Sequence, residues 1–159
     1  MGAACMQVNV QRLTREHKPT TAPIGNLQLM RAVAALGRRH GVCIEARKLL
    51  GRGPKCKFQV SAADDSDIVD AHWTALLAAL RDPQRVLLYH LENHYSLVYA
   101  ARSWAAARNV ADGVAARKSV RQILVGKPGQ APSRWIALED VRACLLGWQG
   151  YAMMEVVRS

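Results

Sequence analysis

Three residues near the middle of the chain have the types and spacing for acid–base or metal chemistry: His90, Glu92 and His94 alternate. On one continuous strand, a period of two would place all three on the same face. Two imidazoles and a carboxylate there would suit a divalent cation, or a histidine steered by an acid. No further ligand stands at a recognisable spacing, so no metal and no other cofactor is expected. His94 opens an apolar strand directly after a turn, where a general base would be exposed yet held by the sheet beneath it. The plainer alternatives are a satisfied core or edge histidine at position 90, a solvated Glu92 and an idle surface histidine at 94. The cysteines are Cys5, Cys43, Cys56 and Cys144, with no C-x-x-C pair and no zinc spacing to a histidine. Cys144, among Val141, Leu145 and Trp148, reads as a small buried hydrophobe.

The elements that must carry these residues follow from hydrophobic period and punctuation. Residues 1–23 read as a leader that packs poorly, ending in a Lys18-Pro19 to Pro23 loop. A helix fits Asn26 to Arg39, with Leu27, Met30, Val33, Ala34 and Leu36 on its apolar face and Gly41 as its stop. Alternation around Val42, Ile44 and Ala46 predicts a strand, and a short second strand follows from Lys57 to Val60. The run Asp64, Asp65, Ser66, Asp67 reads as an N-cap with negative charge at the positive end of a helix dipole. That helix lasts until Asp82-Pro83. Two apolar β runs, Val86 to His90 and Tyr95 to Ala100, predict an antiparallel hairpin. Residues 104–118 read as a longer connection. Ser119 to Gly126 and Arg134 to Ile136 read as strands, Leu138 to Trp148 as a helix, and the chain ends as a strand. Helices come early and most strands late, which predicts an α+β fold with an antiparallel sheet and helices packed to one side.

Composition bounds the rest. At 159 residues with half of them hydrophobic, the chain can bury a core as one domain over residues 24–159. The longest apolar runs are broken by Arg or Asp, and the first residues have no continuous apolar signal region, so a membrane partner is not expected. A cytoplasmic or nuclear compartment with reduced thiols is the expectation. The 22 Lys and Arg against 12 Asp and Glu give a net charge of +10, which draws nucleic acid or other anionic partners. One function class is therefore a basic module that binds nucleic acid or an acidic partner through Arg38, Arg39, Lys48, Lys55 and Lys57. The basic residues are read as scattered, without interleaved exposed aromatics.

The segments IGNLQLMRAVAALG, LLYHLENHYSLVYAAR and RQILVGKPGQAPSRWIALEDVRACLLGWQGYAMMEV together resemble the basic immunoglobulin-like variable motif-containing protein family, over about Ile24 to Val157. The helix content argues against an immunoglobulin sandwich. The chain more distantly resembles papain-like peptidases of the bacteriocin-processing type, which implies a papain-like core. The resemblance implies that His94-Tyr95-Ser96-Leu97-Val98 begins the strand bearing the general base. It implies a nucleophilic cysteine at a helix start upstream, where only Cys5 precedes the Ile24 helix, within an alternating Met6, Val8, Val10 context. The strand that should bring an orienting acid reads ILVGKPGQ, and Gln130 is its nearest polar substitute. A thiol without a base and a helix N-terminus is an ordinary thiol. The resemblance thus implies a domain related to cysteine peptidases, incomplete or inactive in this chain, that binds a peptide or protein partner. Either the chain is a piece of a longer protein or it is a member kept for binding.

Overall fold

A computed structural model describes residues 25–91, 94–106, 119–126 and 129–158. Among them run α1 (Asn26–Arg39), β1 (Ile44–Gly51), β2 (Cys56–Gln59), α2 (Ser66–Arg81), β3 (Arg85–Leu91), β4 (His94–Ala105), β5 (Ser119–Gly126), β6 (Arg134–Ala137), α3 (Leu138–Gly147) and β7 (Ala152–Arg158). The strands form one seven-stranded sheet in the order β2-β1-β7-β3-β4-β5-β6. The fold is α+β, as the order of periods predicts.

Two features of the expected architecture need correction. The sheet is mixed: β1 and β2 are parallel, while every other pair is antiparallel. The helices do not share one side. Along β7, Met153 packs with Leu76 and Trp73 of α2 and with Val141 and Leu145 of α3, whereas Met154 packs with Leu29, Met30 and Val33 of α1. Neighbouring residues of a strand point to opposite faces, so α2 and α3 cover one face and α1 the other. The cause lies in β7 itself, whose AMMEV run is buried on both sides and needs apolar cover on each.

Local chemistry sets the element ends. The Asp65 carboxylate accepts from the Ile68 amide at 2.9 Å and caps α2. Its neighbour Asp64 does something else, described below. At the far end of α1, Gly37 is buried where a Cβ would fall 2.5 Å from Ile44 Cγ1 and 2.6 Å from the Val42 carbonyl. The missing side chain lets the chain turn from α1 straight back into β1. Arg38 and Arg39 complete the helix with positive charge at its negative end.

Among the described residues, the buried carboxylate of the sheet lies on the α2/α3 face. Glu155 on β7 has no exposed surface and accepts from Arg47 Nε at 2.6 Å and Arg85 Nη1 at 3.0 Å, with Arg85 also bonded to Asp82 at 2.7 Å. Alternating cations and carboxylates satisfy one another, which makes a charge in the central strand tolerable.

Candidate functional site

His90, Glu92 and His94 do not form one face. The hairpin breaks the strand between them: β3 ends at Leu91, and His94 opens β4 paired with it. Glu92 and Cys5 lie outside the described residues. His90 pairs with Tyr95 across the hairpin and points to the α1 face, so His94 points to the other. His94 is exposed, as is Gln130 in the loop before β6, and neither side chain bonds another described residue. Cys43 is exposed, while Cys56 and Cys144 are half-buried. Burial pushes the Cys56 thiol up, with Lys48 and a backbone hydrogen bond at Gly53 acting against it. No group of three metal-ligating side chains assembles among the described residues.

His90 instead closes a buried seam. Its ring stacks on Tyr95 at 4.3 Å, and Nδ1 donates to the Gly150 carbonyl at 3.2 Å, which assigns the proton to that nitrogen. The same carbonyl accepts from Asn26 Nδ2 at 2.7 Å, and the Tyr95 hydroxyl donates to Asn26 Oδ1 at 3.0 Å. Burial pushes Tyr95 up to about 12, so it stays a donor. These contacts tie the start of α1 to β3, β4 and the entry to β7. Every polar atom named is spent on the fold.

A second histidine is spent the same way. Arg142 of α3 donates to His72 Nδ1 at 2.8 Å, to Asp64 Oδ2 at 2.9 Å and to the Ser61 carbonyl at 3.2 Å. An arginine only donates, so Nδ1 of His72 is unprotonated. Burial lowers the His72 pKa, Arg142 adds to that, and Asp64 opposes it. Burial raises the Asp64 pKa, but the Ser61 amide and Arg142 outweigh it and hold the carboxyl below its usual range. The cluster clasps α2 to α3.

A different kind of surface lies on the α1 side of β4, β5 and β6. Ala101, Ile123 and Ile136 face the core under α2 and α3, so Arg102, Gln122, Leu124 and Trp135 face the other way. Among the described residues no helix packs on that half of the sheet; the α1 contacts are to β1, β7, β3 and the start of β4. Arg102 is held there as a flat plate. Its Nε and Nη2 both donate to Gln122 Oε1, at 2.9 and 2.6 Å, and its guanidinium lies 4.0 Å over the Trp135 ring and 5.2 Å over Trp104. The register of β4 against β5 shifts between Val98 and Ala100, a bulge at Tyr99. Tyr99 lies along Gly126, where a Cβ would come 2.9 Å from Tyr99 Cε2. Tyr99 and Trp104 are each 45% exposed. The three strands contain Arg102, Arg121 and Arg134 and neither Asp nor Glu.

Comparison with protein-family models, curated proteins and solved structures finds no match.

The functional reading therefore rests on this chain alone. The aromatic surface corrects the expectation that its cations have no exposed aromatic neighbours. Reading the second hairpin strand only as far as Ala100 hid it, because β4 continues five residues further through Arg102 and Trp104. The signal was present in A-R-S-W-A, where Arg102 and Trp104 alternate with small residues as a strand requires. The five cations grouped from sequence also separate: Arg38 and Arg39 precede β1, whereas Lys48 lies on its later half, Lys55 in the loop after it and Lys57 on β2.

Proposed function

We propose that this domain is a binding module for single-stranded nucleic acid, which lies across the α1-side face of β4, β5 and β6. The observation that carries the reading is the Arg102 plate held between Trp135 and Trp104 on an exposed, acid-free sheet surface. Aromatic and guanidinium planes stack on any base, and only unpaired bases offer their flat faces. The overall charge of +10 supplies the attraction to phosphate. Tyr99, whose ring reaches into the space a side chain at Gly126 would take, adds a further ring beside it.

Tryptophan fluorescence tests this. Oligothymidylate should quench the emission, and a duplex of equal length should bind more weakly at the same salt. Trp135→Ala should weaken binding by about 5- to 150-fold, the range of a lost base stack of ~1–3 kcal/mol. Equal binding of duplex and single strand, or an unaffected Trp135→Ala, would remove the proposal.

A second reading is a papain-like, non-catalytic peptide-binding domain. What supports it is element order in part: after His94 opens β4 come a strand, a short helix and a final strand, as the resemblance implies, but with the additional strand β6 before the helix. If that strand retains a base for a thiol, cysteine-selective alkylation of the full chain will be fast near neutral pH and will slow in His94→Ala. Slow labelling with no response to the substitution would leave the order without chemical meaning.

A further inference from the structure

The loop joining β1 to β2 gathers cations that no described carboxylate neutralises. The deeper arginines all have carboxylate partners: Arg47 and Arg85 with Glu155, Arg121 with Asp70, and Arg142 with Asp64. Lys48, Arg52, Lys55 and Lys57 make no ion pair among the described residues. No Asp or Glu occurs between Ala46 and Ala63. Lys48 Nζ reaches to 3.7 Å from where a Cβ on Gly53 would stand, and it acts electrostatically on both His90 and Cys56, so its charge is directed into this corner. Lys55 is exposed and has φ 72°, a left-handed conformation that glycine would adopt without strain.

This loop meets the backbone on both sides of an exposed aromatic in sequence. Arg52 Nη1 donates to the Leu146 carbonyl at 3.3 Å, and a Cβ on Gly53 would come 3.0 Å from the Gln149 carbonyl. Between those two contact points stands Trp148, 54% exposed, with its ring laid on Gly150 and edge-on to Tyr151 at 5.0 Å. Unpaired cations beside an exposed indole repeat the chemistry of the β4–β6 face at the opposite half of the sheet.

We infer that the β1–β2 loop, with Trp148, is a second contact for a single nucleic-acid strand and takes its phosphates through Arg52 and Lys55. The inference rests on the reading of the β4–β6 face as the base-stacking site. The charge complementarity is local. Arg38 and Arg39 lie at the other end of β1, eight residues or about 23 Å away at the usual rise per residue.

The test is the salt dependence of oligothymidylate affinity in the full chain. Each phosphate contact on a single strand contributes about 0.7 to the slope of log K against log salt. Arg52→Gln/Lys55→Gln should flatten the slope by about 1.4, and Lys55→Gln alone by about 0.7. Arg38→Gln/Arg39→Gln, which removes equal charge at the other end, should leave the slope unchanged. Lys55→Gln guards against a folding effect, because Arg52 bonds the α3 backbone and Lys55 does not. An unchanged slope in the loop variants, or an equal drop in both double variants, overturns the inference while the base-stacking face stands. Failure of the wild type to bind, or binding indifferent to Trp135→Ala, removes the face reading and the inference with it.

Discussion

His72 and His90 are the residues whose chemistry is clearest, and it is the chemistry of staying neutral. Burial lowers both pKa values, with Arg142 adding to the effect at His72 and Lys48 at His90, where the Gly150 carbonyl opposes it. In the unfolded chain each titrates near its ordinary value of about 6.5. Below that pH the unfolded state binds protons that the folded state refuses, so stability falls as pH drops from about 6.5 toward the lower folded pKa values. Asp64 has the opposite charge type but the same direction. Its folded pKa is lowered, so its contribution is present above the ordinary carboxylate range and is lost below it. Urea midpoints should therefore decline between pH 7 and pH 5, with a further loss below about pH 4. A midpoint that stays flat from pH 7 to 5 would show that neither imidazole is held neutral.

At the scale of elements, the turn from α1 into β1 depends on a missing side chain. Gly37→Ala should cost about 1–3 kcal/mol in urea denaturation, because its methyl meets the backbone of Val42 as well as the Ile44 side chain. A neutral substitution there would mean that the helix end can slide away from the strand. Most elements were legible in the chain. The α1 and α2 apolar stripes, the hairpin after Pro83 and the closing strand all carry their period openly. Topology was less so. Nothing in AMMEVVR says that the last strand enters the middle of the sheet between β1 and β3, although its unbroken apolar start is the pattern of a strand covered on both faces. A shared face for His90 and His94 holds only on one continuous strand, and the antiparallel hairpin that the two apolar runs predict removes it. Pairing Leu91 with His94 and His90 with Tyr95 puts positions that look in phase on opposite faces, so His90 became a seam and His94 a surface residue.

Over the whole molecule, charge is sorted rather than scattered. The carboxylates of Asp64, Asp70, Asp82 and Glu155 neutralise arginines between the sheet and its α2/α3 cover or at its rim. Neither α1 nor the strands β4 to β6 contain an acid. Sequence counting finds the excess of 10 positive charges but cannot find this separation, which arises only when strands distant in sequence are laid side by side. No helix among the described residues is long and apolar enough to cross a membrane. The half-sheet with its Arg102, Trp104 and Trp135 cluster, on which no described helix packs, is thus the surface proposed for a partner.

Photo-crosslinking of a halogenated oligothymidylate to the intact protein, followed by peptide mapping, tests that assignment most directly. Cross-links should fall on Tyr99 and Trp104 of β4 and on Trp135 of β6, and should fade as salt is raised. Cross-links confined to the surfaces of α2 and α3, or none at low salt, would contradict the proposed nucleic-acid face.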